Sequence, residues 1–128
     1  MDHSQLSDFE INVEVFEALH GGSPDYKEGN NGEMLLVSFE AEAVDGDVVE
    51  VEVVRGSFNP CNNPADAWPI IVSNQISLMY EEAIGKWCAG KPYWVDGCEW
   101  QLDIDVMEAN PLRAAMVFFL IMQDADNA

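Results

Sequence analysis

Apolar positions near the start of the chain recur every three or four residues, which is the spacing of one face of an α-helix. The stripe consists of Phe9, Val13, Phe16 and His20. Ser7 and Glu10 have the spacing of a capping box, and Gly21 supplies a left-handed stop. The pattern therefore predicts an amphipathic N-terminal helix from Asp8 to about Leu19.

Further along, apolar and polar residues alternate, which is typical of half-buried strands. The alternation predicts strands over Met34 to Ala43 and Val48 to Arg55. A three-residue loop, Asp45 to Asp47, keeps both apolar sets on one face, because only an odd-numbered loop does so. In this register two pairs of glutamates oppose each other on the outer face: Glu42 with Glu50, and Glu40 with Glu52. The sequence thus predicts a hairpin with one acidic face.

Three more strands are predicted after the hairpin: Ile76 to Tyr80, Lys86 to Lys91, and Val95 to Met107. Asn63 and Pro64 begin a short helix that reaches at least Trp68. Asn110 and Pro111 begin a last helix, to about Gln123, which is apolar on every side between Ala114 and Met122.

A helix that is apolar all round belongs in a core. We therefore expect an α+β fold, in which the N-terminal amphipathic helix and a buried C-terminal helix pack on one face of an antiparallel sheet of about five strands. The length of 128 residues suits a single domain, residues 1–128. We expect residues 1–6 and 124–128 to be flexible.

Composition narrows the class of partner. The chain has 24 Asp and Glu against five Lys and Arg, a formal net charge of −19. Direct binding to DNA, RNA or an anionic membrane is therefore not expected, because Lys and Arg drive contacts with phosphate. No apolar run has the roughly 18 residues of a membrane span, and we expect no signal peptide, because the start of the sequence lacks its basic and apolar regions. We expect a cytoplasmic protein with reduced cysteines.

Three segments resemble a known family. They are Phe58 to Leu78, Trp87 to Ala89, and Asn110 to Met122. These segments are similar to the NinX-like family of lambdoid bacteriophage and prophage proteins, which pairs a Pro/Asn-rich "DW…PII…IS" segment with a C-terminal "TPL-AAM" helix. The matching positions here are Ala67-Trp68, Pro69-Ile70-Ile71, Ile76-Ser77, Pro111-Leu112 and Ala114-Ala115-Met116. The resemblance covers the second half of the chain and omits the hairpin, residues 34–55. It implies a phage origin and a bacterial host cytoplasm, but no catalytic residues.

The candidate binding site is an array of carboxylates. Its members are Glu40, Glu42, Asp45, Asp47, Glu50, Glu52, Asp103 and Asp105. Carboxylates two residues apart on a strand are about 6.5–7 Å apart, a spacing similar to that of successive phosphates on one DNA strand. The array favours a non-enzymatic protein that binds a basic host or phage protein. In its most concrete form the protein imitates nucleic acid and inhibits a DNA- or RNA-binding factor of defence or nucleic-acid processing. The alternative is a structural or assembly module, homo-oligomeric, whose acidity is incidental.

The sequence gives little support to metal binding or to catalysis. Cys61, Cys88 and Cys98 lack metal-ligand spacing, and no activated nucleophile can be singled out. We expect no metal, no cofactor and no enzymatic activity. Tyr93 and Trp94, read as a loop, form a candidate aromatic anchor for a protein partner.

Overall fold

Three helices and six strands make up the described chain. The structure is a computed structural model that describes residues 2–127, apart from the side chains of Ile104 and Asp105. The helices are α1 (Asp8–His20), α2 (Pro64–Ser73) and α3 (Pro111–Asp126). The strands are β1 (Tyr26–Glu28), β2 (Met34–Val44), β3 (Asp47–Phe58), β4 (Ser77–Glu81), β5 (Lys86–Val95) and β6 (Glu99–Glu108). The predicted α+β class is confirmed.

The strands form two antiparallel sheets, in the orders β1-β2-β3 and β4-β5-β6, where one sheet of about five strands was expected. The first three strands are separated from the last three along the chain, because the segment 59–63 and helix α2 come between β3 and β4. Strand β1 was not predicted, since three exposed residues are too few to show an alternation. Each sheet contains one irregularity in register, at Leu36 and Val37 in the β2–β3 pair and at Ala89 and Gly90 in the β5–β6 pair.

Helix α1 begins and ends where the sequence predicts. The Glu10 N–H donates to Ser7 Oγ at 3.1 Å, the Ser7 N–H donates to Glu10 Oε1 at 3.0 Å, and Gly21 ends the helix with φ of 73°. Its most buried apolar positions are Ile11 and Val15, both 0% exposed, and of the predicted stripe Val13 alone is buried. The stripe is shared between the core and the first sheet, where Phe16 packs edge-on against Phe58.

The core surrounds α3. Residues 114–120 of this helix are all buried, as their uniformly apolar sequence predicted. They pack with Ile11 of α1, Ile70 of α2, and Ala89 and Val106 of the second sheet. The first sheet adds Phe58 at the edge of this cluster. Helix α3 is thus the central element of the domain.

Residues close to the two ends of the chain contact each other. His3 lies in a 3-10 turn, His3–Gln5, and is buried. Its Nε2 lies 2.6 Å from Asp124 Oδ2 in α3, and its Nδ1 lies 3.1 Å from Glu14 Oε2 in α1. A buried imidazole requires polar partners, and these two carboxylates supply them; the flexibility expected of residues 1–6 and 124–128 stays a prediction.

Replacing Phe119 tests the central role of α3. Phe119 is 2% exposed, so Phe119→Ala should lower the free energy of unfolding by about 3–5 kcal/mol, the usual effect of emptying an aromatic core position. Denaturant unfolding monitored by circular dichroism measures the change. A loss below about 1 kcal/mol would mean that the core does not depend on this helix.

Candidate partner-binding surfaces

The β2–β3 hairpin turns through two residues, not the three that we predicted. Val44 pairs with Asp47, which leaves Asp45 and Gly46 as the loop. Both loop residues have positive φ, 51° for Asp45 and 85° for Gly46. Asp-Gly suits such a turn, because two-residue hairpin loops matching the strand twist need positive φ. This dipeptide was the sequence signal that could have given the correct register.

The two-residue loop distributes the glutamates over both faces of the hairpin. Glu40 lies opposite Val51 and Glu42 opposite Val49, whereas Glu50 lies opposite Ala41 and Glu52 opposite Phe39. Directly opposed residues share a face. The predicted face with all four glutamates is therefore wrong: Glu40 and Glu42 lie on one face, and Glu50 and Glu52 on the other.

Residues 39–54 form a projecting ribbon, here named the acidic arm. Most of its side chains are exposed, including Phe39 at 50% and Val48 at 77%. The arm contains six carboxylates and no Lys or Arg. Arg55 binds Glu40 at its base on one face, and Lys27 binds Glu52 on the other.

The remaining four carboxylates of the arm lie nearer its tip. They are Glu42, Asp45, Asp47 and Glu50. Within the described residues, no cation is paired with any of them. The tip of the arm is therefore its uncompensated part.

Asp103 and Asp105 belong to the other sheet. Asp103 is exposed on β6 and lies opposite Lys91 of β5. The Lys91 ammonium is directed elsewhere, because it donates to the backbone carbonyls of Asn74 and Gln75. The side chain of Asp105 lies outside the described residues. The candidate array is thus divided between two sheets.

Tyr93 and Trp94 lie in strand β5 rather than in a loop. Strand β5 tolerates Pro92 because its pairing with β4 stops at Gly90, which lies opposite Ser77. Proline at position 92 therefore removes no hydrogen bond to β4. As neighbours on a strand, the two aromatic residues point to opposite faces. Tyr93 is tied down by donating its hydroxyl proton to Gln101 Oε1 at 3.0 Å.

Trp94 has a partner that the sequence reasoning missed. It lies opposite Trp100 across the hairpin, with ring centroids 5.4 Å apart in an edge-on arrangement. The two rings are 51% and 68% exposed. On the same outer side of the sheet, Met79 and Met107 flank the buried Cys88. We name Met79, Trp94, Trp100 and Met107 the tryptophan face.

A buried polar cluster holds the elements together, and sequence reasoning missed it as well. Asn12 of α1 is 0% exposed. Its Nδ2 donates to Asn59 Oδ1 at 2.8 Å and to the Gly32 carbonyl at 3.0 Å, and its Oδ1 accepts from the Cys61 N–H at 3.1 Å. Asn110, the cap of α3, donates to the Cys61 carbonyl at 2.7 Å. These bonds join α1, the segment after β3, and α3.

Arg113 ties the N-terminus to the same cluster. Its Nη1 donates to Asp8 Oδ1 at 2.7 Å, its Nε lies 3.2 Å from Glu108 Oε1, and its Nη2 donates to the carbonyls of Ser4 and Leu6. Burial acts to lower the pKa of Arg113, but the bond to Asp8 and the charge of Glu108 prevail and raise it. The arrangement holds a permanent cation between two carboxylates.

Cys61, at the centre of the Pro/Asn-rich segment, is unsuited to nucleophilic chemistry. It is 0% exposed, and burial, followed by the charge of Asp8, raises the pKa of its thiol well above the usual range. The reactive form of cysteine is the thiolate, so this thiol stays protonated at neutral pH. The described residues contain no group of three or more His, Cys, Asp or Glu that could hold a metal ion.

Comparison with known proteins identifies the family. The model of the family described as "Bacteriophage P22, NinX" matches residues 2–123. The chain belongs to this NinX family of phage proteins. The match includes the hairpin, residues 34–55, which the resemblance in the sequence had left out.

No curated protein and no solved structure matches the chain. Family membership places the chain in a family of phage proteins but supplies no activity and no functional residues. Among the described residues, no helix has both the length and the apolar character to cross a membrane.

The ion pairs of Arg113 and the single ion pair of Arg55 should differ strongly in their effect on stability. Arg113→Met should lower the free energy of unfolding by about 3–5 kcal/mol, because it leaves two carboxylates unpaired in a partly buried site. Arg55→Met is the control: both Arg55 and Glu40 are about half exposed, and exposed pairs contribute about 0–1 kcal/mol. Denaturant unfolding of both variants measures the difference, and equal losses would contradict a structural role for the Arg113 cluster.

Proposed function

We propose that the protein is a phage accessory protein that binds a basic protein of the host or phage through the acidic arm. The phage origin rests on the family match. The observation that carries the proposal is the arm itself, six carboxylates on an exposed ribbon without a Lys or Arg between residues 39 and 54.

The shape of the arm suits a groove better than a flat surface. Six paired residues on each strand extend about 20 Å at roughly 3.3 Å per residue. Because the register places carboxylates on both faces, a partner with cations on two opposing walls satisfies the arm, whereas a flat basic surface meets only one face.

Grooves lined by Lys and Arg are typical of proteins that bind nucleic acid, because these side chains neutralise phosphates. Glu40 and Glu42 on one face, and Glu50 and Glu52 on the other, keep the strand spacing of about 6.5–7 Å that resembles a phosphate row. We therefore infer that the arm occupies such a groove and competes with nucleic acid for it. The imitation consists of a short row on each face, not of the single acidic face first expected.

The test is to neutralise the uncompensated tip. The variant Glu42→Gln, Asp45→Asn, Asp47→Asn and Glu50→Gln removes four charges and changes side-chain size very little. It should fold at least as stably as the parent, since Asn tolerates the positive φ at position 45 and crowded like charges are reduced. Basic proteins captured from bacterial lysate by the immobilised parent should be lost or strongly reduced with this variant, and association should become slower and less sensitive to salt.

The matched control neutralises the same number of each residue type elsewhere: Glu28→Gln, Glu82→Gln, Asp96→Asn and Asp126→Asn. All four side chains are exposed and lie outside the arm. This variant should capture the same proteins as the parent, and added DNA should displace them from both. Equal capture by the arm variant and the parent at low salt would overturn the proposal.

The exposed tryptophan face favours a second candidate, a homo-oligomeric assembly module. Two exposed indoles in contact with each other, and two exposed methionines farther along the same face, form an apolar surface suited to a subunit contact. With a charge of −19 on each copy, association should strengthen as salt screens the repulsion. Sedimentation at increasing salt should show a dimer that Trp100→Thr abolishes. The control Trp68→Thr, at an exposed tryptophan of α2, should leave the dimer unchanged, and a monomer at all salt concentrations would exclude this candidate.

A further inference from the structure

We propose that the free edge of β2 in the arm binds an extended basic segment of the partner as an added antiparallel strand. This inference rests on the proposed function, since it specifies how the arm would hold a basic protein. It is argued from the backbone of β2, the groove beside it and the distribution of charge.

The edge of β2 is only partly covered. Strand β1 pairs with β2 from Met34 to Leu36, and the last bond on this side is from the Val37 N–H to the Asp25 carbonyl at 3.0 Å. On the same side, the Glu33 carbonyl accepts from the Gly29 N–H at 2.8 Å. The odd-numbered residues of β2 thus direct their backbone groups toward the β1 edge.

Beyond Val37 the same alternation leaves backbone groups without a strand partner. Phe39, Ala41 and Ala43 turn their N–H and C=O groups to this edge, because successive residues of a strand address alternate sides. Within the described chain no strand pairs there. Between Val37 and Val44 the edge has no lysine, proline or register irregularity, three of the features that commonly protect exposed edges. Its charged residues, Glu40 and Glu42, are anionic and so repel an acidic strand but not a basic one.

A groove continues the line of β1 along this edge. It has a volume of about 520 Å³ and is lined by Pro24, Asp25, Tyr26, Phe39 and Glu52, among others. Lys27 is the only cation in its lining and is already paired with Glu52. The groove therefore offers aromatic surface and carboxylates to a chain entering where β1 ends.

Charge decides the occupant. A second copy of the chain would bring another charge of −19 and set its own glutamates beside Glu40 and Glu42. Like charges on neighbouring strands are destabilising. A cationic segment is attracted by the same residues, so the partner, not a second copy, fits this edge.

The two faces of the arm specify a pattern for the added strand. On one face its side chains lie beside Glu40 and Glu42, and on the other beside Phe39, Ala41 and Ala43. The complementary strand alternates basic and apolar residues. A slip of one residue would place apolar residues beside Glu40 and Glu42 and cations beside the alanines, so the arrangement determines which face of the added strand is basic.

The first experiment compares two synthetic peptides of the same composition, binding to the full-length protein. One alternates Lys and Val over eight residues, and the other groups its four Lys before its four Val. We expect the alternating peptide to bind about tenfold more tightly, because only this peptide can place its lysines beside Glu40 and Glu42 and its valines on the opposite face. Equal affinity would mean that charge alone is recognised and would overturn the strand addition.

Backbone chemistry supplies a test that does not depend on refolding a variant. N-methylation of the valines removes the N–H groups that would pair with Phe39, Ala41 and Ala43, whereas N-methylation of the lysines alters N–H groups on the outer side. The first peptide should lose binding and the second should keep it. In the same complex, hydrogen exchange of the Phe39, Ala41 and Ala43 amides should slow, and unchanged exchange would contradict the proposal.

Two proline variants distinguish the edges of the arm. Ala41→Pro removes an N–H that points to the free edge of β2, so the hairpin should persist while peptide binding is lost. Val48→Pro is the control: Val48 lies opposite Ala43, so its N–H points to the outer edge of β3 and binding should be retained. The reverse result would place the added strand on β3 and overturn the assignment to β2.

These outcomes separate the two proposals. Capture of basic proteins that depends on the four tip carboxylates, together with no amide protection at Phe39, Ala41 and Ala43, would leave the proposed function standing and reject strand addition. The opposite result is capture that does not depend on the four tip carboxylates, together with slowed amide exchange at Phe39, Ala41 and Ala43. It would reject the proposed function and show that the edge of β2 binds extended peptides without a role for the tip.

Discussion

The amide of Asn12 is the constraint on which the arrangement of this domain depends. A fully buried amide without partners is strongly destabilising, so α1 can pack only where hydrogen bonds reach this side chain. Those partners are the Gly32 carbonyl, Asn59 and the Cys61 N–H. One side chain thereby places the beginning of β2 and the end of β3 against the same helix. Asn110 and Arg113 extend the arrangement to α3 and to the N-terminus.

This anchoring explains why the arm can be exposed on both faces. Its root is held by polar bonds and by the buried side chains of Met34 and Val37, so the distal strands need no further packing to define their direction. Beyond Phe39 the apolar residues of the arm contribute little to the core, and its four carboxylates nearest the tip form no ion pair within the described residues. The tryptophan face occupies a comparable position on the other hairpin, outside the cluster around α3.

The elements that could be predicted are those whose signals are local. The capping box at Ser7 and the Asn-Pro starts of α2 and α3 involve residues within a few positions of each other, and the structure shows all three. The register of the hairpin was missed because only the alternation of apolar and polar residues was considered. The Asp45-Gly46 turn makes the loop two residues long, and this even number places Glu40 and Glu42 on the face opposite to Glu50 and Glu52. The Asn12 cluster and the Trp94–Trp100 contact could not be read in the same way, since they depend on residues brought together by the fold. Likewise, Asp103 was grouped with the hairpin carboxylates because sequence shows charge but not which sheet carries it.

The ion pairs at the base of the arm make its charge distribution uneven along its length. Arg55 and Lys27 neutralise Glu40 and Glu52 near the domain, whereas the four carboxylates toward Asp45 and Gly46 keep their charge. The ribbon is consequently a dipole along its length, with its anionic pole farthest from the core. In the field of a cationic body such a molecule experiences a torque as well as an attraction. The arm would therefore approach the cationic body with its Asp45-Gly46 turn in front, already oriented before the two molecules come into contact.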